Sequence, residues 1–121
     1  MSKNLFDLHG RTALITGGNG GIGLGIAKGF AESGANIAIA GRNTTKTEEV
    51  VANFRDRNTS AIGIEVDVAD QESVQDMIGN TLEAFGRIDI LVNNAGIGIR
   101  NLPHEYPLED WNKVIDINLT G

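Results

Sequence analysis

Apolar and polar residues run along this chain in short blocks of two kinds, and each change of kind marks an element boundary. Thr12 to Ile15 is an apolar run that ends in Thr16, Gly17 and Gly18, as a buried strand does when it feeds a glycine turn. From Gly21 the apolar positions Ile22, Ile26 and Phe30, flanked by Ala27 and Ala31, recur at three and four residues until Ser33-Gly34. That spacing predicts an amphipathic helix with a glycine stop. Asn36 to Ala40 predicts a second strand, and Thr44 to Arg57 a second helix with Val50, Val51 and Phe54 inward. The third strand is Ala61 to Val66, closed by Asp67. Asp70 then stands where an N-cap belongs, before a helix through Phe85 that buries Val74, Met77, Ile78 and Leu82. Gly86 ends it, and Ile88 to Val92 is a fourth strand, almost wholly apolar. A loop from Gly96 to Pro107 carries both prolines, after which Leu108 to Leu119 resumes helical spacing through Trp111, Val114, Ile115 and Leu119. Apolar strands separated by helices of this length are expected to pair in parallel, with helices covering both faces of one sheet.

Composition narrows the function classes. Ten basic against 16 acidic residues give a formal net charge of -6, which repels phosphate backbones and anionic lipid, so neither nucleic acid nor membrane is an expected partner. Cysteine is absent, which excludes disulfides and thiolate metal sites, and two histidines, His9 and His104, are too few for a structural zinc centre. No metal site is expected. The opening MSKNLFDLHG has neither an apolar signal core nor a cleavage pattern, and no apolar run approaches membrane-span length; the expected location is cytoplasmic. The 16 glycines sit at segment junctions, so they punctuate the chain and do not form a flexible tract.

One glycine cluster carries chemistry. Thr16-Gly17-Gly18-Asn19-Gly20-Gly21-Ile22-Gly23 lies between the first strand and the first helix. A pyrophosphate needs backbone N–H groups and the positive end of a helix dipole at close range, and side chains in the turn would block its approach. The string satisfies GxGxxG at Gly18, Gly20 and Gly23, and also TGxxxGxG at Thr16, Gly17, Gly21 and Gly23. With a strand before it and a helix after it, dinucleotide binding is the expected use.

The TGxxxGIG string, together with Asn93-Asn94-Ala95-Gly96 after the fourth strand, resembles the short-chain dehydrogenase/reductases, and the likeness runs over essentially all 121 residues. It implies an α/β fold of Rossmann type, a doubly wound parallel sheet in the order 3-2-1-4, truncated and lacking the later strands, with residues 1–121 as the nucleotide-binding portion of a single domain. On that order Ile88 to Val92 is an unpaired edge, so the chain is expected to self-associate through it or to be only marginally folded. The resemblance also implies that Gly17, Gly21 and Gly23, with Thr16, Asn19 and Ile22 of the same loop, line the cofactor; that Asp67-Val68 approaches the adenine; and that Asn93 and Asn94 to Gly96, including Ala95, flank the ribose and the central sheet. From the residues alone, Asp67 also fits a capping carboxylate, and Asn93-Asn94 a simple turn. For the choice of cofactor, NAD binding uses a carboxylate on the ribose 2′-hydroxyl, whereas a 2′-phosphate needs a cation. The second strand ends in Gly41, Arg42 and Asn43, with a guanidinium and no carboxylate, so NADP(H) is expected over NAD(H). The family's other basic site, inside the glycine loop, is Gly20 here.

In the same family the asparagine of the helix after this loop belongs to a catalytic tetrad and holds a water in a proton relay. Asn118 matches it, seven residues after Trp111 and four after Val114. The serine and the TyrxxxLys pair that complete the tetrad are not found in the sequence: the only tyrosine, Tyr106, is followed four residues on by Asp110. His104 and Glu105 are adjacent loop residues and fit a solvated surface better than an acid/base pair. The expected parent is an NADP(H)-dependent oxidoreductase, reducing a carbonyl or oxidising an alcohol, whose 121 residues here are inactive by themselves. A catalytically empty dinucleotide-binding or interaction module is the alternative. The opening and closing segments look like relatives acting on sugar acids, polyols or 3-oxoacyl thioesters, and the family suggests a homotetramer.

Overall fold

Every residue of the first strand, β1 (Thr12–Thr16), is buried, as are all but the first of β2 (Asn36–Gly41). A strand with one wet face alternates; these do not, because both faces of the sheet are covered. The computed structural model describes residues 7–17, 20–67 and 69–94, and the main chain alone of 115–118. The other elements are α1 (Gly21–Glu32), α2 (Thr44–Asp56), β3 (Ala61–Glu65), α3 (Gln71–Phe85), β4 (Ile90–Asn93) and β5 (Ile115–Asn118). The strands pair in parallel in the order β3-β2-β1-β4-β5.

Two apolar clusters follow from the two-residue period of the strands. Ala13 and Ile15 point to one face and join Ile37, Ile39 and Val92 against Ala27 of α1 and Val50, Val51 and Phe54 of α2. Leu14 points to the other and joins Ala38, Ala40 and Leu91 against Val74, Met77 and Ile78 of α3. The chain steps outward from β1 to β3 with its helices on one face, then crosses back along the other to lay β4 on the free side of β1. The strand order therefore reverses between β1 and β4, and it is at the carboxyl edge beside such a reversal that doubly wound folds bind ligands.

The predicted order 3-2-1-4 is observed, as are the Asp70 cap and the Gly86 stop, and the structure adds a cap at Asn43. Asn43 accepts the Lys46 N–H at 3.1 Å at the start of α2, and Asp70 accepts that of Glu72 at 3.0 Å at the start of α3. Gly86, at φ 77°, closes α3 in the left-handed conformation, its N–H donating to the Leu82 carbonyl at 2.7 Å. Leu82 is only half-buried; Thr81 takes the interior place, its hydroxyl donating to the Met77 carbonyl at 2.8 Å.

Three expectations are corrected. The helix expected over Leu108 to Leu119 is, at Ile115–Asn118, the strand β5; the rest of that stretch lies outside the described residues. Ile115 and Ile117 alternate with Asp116 and Asn118, a two-residue period that the apolar spacing at three and four had concealed, and β-branched isoleucine favours the extended backbone. The edge of β4, expected to be bare, is consequently paired, with Ile90 opposite Ile115 and Asn93 opposite Asn118. A strand thus follows the fourth where none was expected, and β4 is no template for self-association. Ile22, expected on the inward stripe of α1, is 69% exposed, and Gly23 and Ala27 are the residues that α1 buries.

At the opposite, amino edge, Asp89 fastens β4 to β1. Its main-chain N–H donates to the Thr12 carbonyl at 2.9 Å, and its carboxylate accepts the Thr12 N–H at 2.8 Å. Arg87 grips the same carboxylate through Nε at 2.8 Å and Nη2 at 2.7 Å, and Arg11 reaches it at 3.3 Å. Burial alone raises the Asp89 pKa, but the hydrogen bonds from Arg87 and Thr12, with the nearby positive charge, outweigh it and hold the carboxyl below its ordinary value. A depressed folded-state pKa adds stability above the ordinary carboxylate pKa of about 3.9, which is lost as the pH falls through the folded value. Asp89→Asn is expected to lower the unfolding free energy at pH 7 by about 1.5–3 kcal/mol, and denaturant melts taken on acidification should fall less steeply for the variant than for the parent. Equal acid slopes would remove Asp89 from this role.

Candidate dinucleotide-binding site

β1 hands its last residue to a hydrogen-bond lock. Thr16 is fully buried; its hydroxyl proton is within reach of the Val92 carbonyl and of Asn93 Oδ1, each at 3.3 Å, while the same oxygen accepts the Asn94 N–H at 3.1 Å. The next residue, Gly17, turns at φ 68°, a left-handed conformation that a side chain would strain. Its N–H donates to the Ala40 carbonyl at the end of β2 at 2.7 Å, and its own carbonyl accepts Asn94 Nδ2 at 3.3 Å. The entrance of the glycine loop is therefore tied to both neighbouring strands.

Two further glycines are required by contact or by conformation. A Cβ on Gly23 would stand 2.6 Å from the Gly17 carbonyl oxygen and 2.7 Å from Asn94 Nδ2, so only glycine lets the first turn of α1 close against the lock. Gly21, at φ 57°, is in a left-handed conformation, and no atom of the described residues lies within 4 Å of where its Cβ would be. The caps of the three helices then differ in a telling way. α2 and α3 satisfy an N-terminal donor with a side chain, whereas α1 starts from Gly20 with no side-chain cap and no acidic residue in its first turn. Its amide donors and the positive end of its dipole face the loop, which is what an anion requires.

The other predicted residues divide. Arg42 is exposed just beyond β2. Asn43 is next to it, but its side-chain oxygen caps α2. Asp67, beyond β3, accepts the Ala69 N–H at 3.1 Å in a local turn, which realises the capping alternative for one oxygen. Ile22 lies exposed beside the loop, on the same open side. Asn19, Val68, Ala95 and Gly96 lie outside the described residues, as does the side chain of Asn118, whose main chain pairs with Asn93. Among the described residues there is no group of three or more potential metal ligands, and no helix is long and apolar enough to cross a membrane. Sequence reasoning missed Lys46: its Nζ stands 2.8 Å from where a Cβ on Gly20 would be, 26 residues away along the chain. The available signal was its place in the first turn of α2, because helical side chains lean toward the helix N-terminus and so, here, toward the carboxyl edge of the sheet.

The short chain dehydrogenase family model matches residues 11–121, and the chain belongs to that family. It is 38% identical to glucose 1-dehydrogenase 2 of Bacillus subtilis over 95% of this chain and 45% of that protein. It is 40% identical to a 3-oxoacyl-(acyl-carrier-protein) reductase of Synechocystis, over 94% of this chain and 47% of the relative. The chain thus spans about half the length of the curated relatives it matches. Among solved structures, a short chain dehydrogenase/reductase from Burkholderia phymatum in complex with NAD superposes with a TM-score of 0.72 at 32% identity, covering 88% of this chain and 38% of the other. The family binds NAD(P).

The close contacts at Gly23 set an expected outcome. Neither the Gly17 carbonyl nor the bonded Asn94 amide can move without breaking the lock, so Gly23→Ala should destabilise the fold by about 1–3 kcal/mol in chemical denaturation. It should also weaken dinucleotide binding by at least about tenfold in a fluorescence titration. Thr16→Val keeps the shape of the side chain but removes the hydroxyl, and should cost about 1–3 kcal/mol of stability in the same denaturation assay.

Proposed function

We propose that this chain forms the dinucleotide-binding half of an oxidoreductase that interconverts a carbonyl and an alcohol with NADP(H), NAD(H) being the second choice. The observation that carries the reading is the bare start of α1: a glycine N-cap with no side-chain bond, no first-turn acid, and no atom of the described residues within 4 Å of a Cβ at Gly21. A diphosphate fits there because it meets amide donors that nothing in the described chain satisfies and a helix dipole of the right sign.

Each residue has a share in this arrangement. Thr16 and Asn94 hold the loop, Gly17, Asn19, Gly21 and Gly23 keep it narrow enough for the diphosphate, and Ile22 lends an apolar surface to the cofactor. Asp67 and Val68 flank the adenine from β3, and Asn94, Ala95 and Gly96 flank the ribose. Arg42 and Asn43 stand where a carboxylate would favour NAD(H); the guanidinium instead favours a 2′-phosphate. When bound, the nicotinamide gives or takes the hydride. A general acid must then protonate the developing alkoxide, and these 121 residues contain no TyrxxxLys pair for it. Taken alone, they bind the dinucleotide without turnover. Asn118 keeps its proposed place in a proton relay on the sequence motif alone, because the helical stripe that first supported it is a strand.

The similarity to a glucose dehydrogenase and a 3-oxoacyl reductase supports a small carbonyl or alcohol substrate of the sugar, sugar-acid or 3-oxoacyl type. A homotetramer and a cytoplasmic location complete the proposal. The test is an NADPH and NADH fluorescence titration of these residues, followed by NADPH oxidation by the whole oxidoreductase with ketoses, keto-acids and 3-oxoacyl thioesters. Saturable binding, tighter for NADPH, and oxidation with one substrate class are expected. Failure to bind either nucleotide would overturn the reading.

A further inference from the structure

The glycine loop contains no lysine or arginine, yet an ammonium stands over it. Lys46 Nζ and Cε lie 2.8 Å and 3.3 Å from the place a Cβ on Gly20 would take. Gly20 has φ -173°, extended backbone open to any residue, so its conformation does not call for glycine. What the missing side chain provides is room, and the Lys46 head group fills it. The root of that side chain is held in place, since the Lys46 N–H is the one that Asn43 caps at 3.1 Å.

Arg42 lies four residues earlier, in the turn between β2 and α2. The ion pairs among the described residues involve His9, Arg11 and Arg87; Arg42 and Lys46 have no acidic partner there, and Glu49, one turn along α2, does not pair with Lys46. In a chain of net charge -6 this is a local positive spot beside the proposed diphosphate site. We propose that Lys46 is a specificity-determining residue that, with Arg42, binds the 2′-phosphate of NADP(H), supplying from α2 the cation that Gly20 does not supply from the loop.

The charges favour this role over one on the diphosphate. The diphosphate already has the amides of the α1 start, whereas a phosphate monoester carries about -1.5 to -2 charge at pH 7 and is poorly balanced by one guanidinium. The inference rests on the NADP(H) reading, and the experiment separates the two. NADPH, NADH, 2′,5′-ADP and 5′-AMP are titrated against the protein and its Lys46→Ala, Lys46→Arg and Arg42→Ala variants, with circular dichroism to verify the fold. Lys46→Ala should weaken NADPH and 2′,5′-ADP about tenfold, or about 1.4 kcal/mol, and change NADH and 5′-AMP less than about twofold. Lys46→Arg should retain most of the NADPH affinity. Equal weakening of NADPH and NADH would place Lys46 on the diphosphate and overturn the proposal, and so would no change in either. If Arg42→Ala abolishes the NADPH preference and Lys46→Ala does not, the NADP(H) reading survives without Lys46. A parent protein with no NADPH preference sinks both.

Discussion

The chain reverses its direction of travel beside β1, and the site exists because of that reversal. β2 lies on one side of β1 and β4 on the other, so the strand order reverses there, beside the edge at which doubly wound folds take ligands. Such a junction would be loose if nothing bridged it. The Thr16 hydroxyl and the Asn94 amide bridge it from opposite sides, and Gly17 is tied to β2 by its N–H. The start of α1 can therefore be left uncapped without fraying, because what holds it is the neighbouring strands and not its own first residues.

The two edges of the sheet are built on opposite principles. At the amino edge a carboxylate is largely buried, its side chain 8% exposed, and is satisfied by two arginines and a backbone amide; that is an arrangement for stability. At the carboxyl edge, donors and cations have no partners among the described residues: the α1 first-turn amides, Arg42 and Lys46. Unsatisfied groups of one sign gathered at one place have little structural use, and they are what a bound polyanion needs. Family membership and this polarity agree, although they come from different observations.

Much of the fold was legible in local sequence. β1, β2 and β4 are runs of buried, mainly apolar residues, the cap Asp70 and the stop Gly86 act within a few residues of themselves, and the glycine loop is recognisable by standing between a strand and a helix. Other features were not legible. Ile115 fits a helical stripe together with Trp111, Val114 and Leu119, and a strand by its alternation with Ile117; pairing with β4 settles the choice in favour of extension. Ile22 has the spacing of a core residue, but it stands in the first turn of α1 and is exposed.

By itself the sequence determined the alternation of elements as far as β4, the glycine-rich loop between the first strand and the first helix, and the absence of an acid at the end of β2, because each depends on residues close together in the chain. Only the tertiary structure decided that β4 has a partner, that Gly23 must be glycine because Gly17 and Asn94 crowd it, and that Lys46 stands over Gly20. These contacts join residues far apart in sequence, and no local preference encodes a distance across a folded sheet.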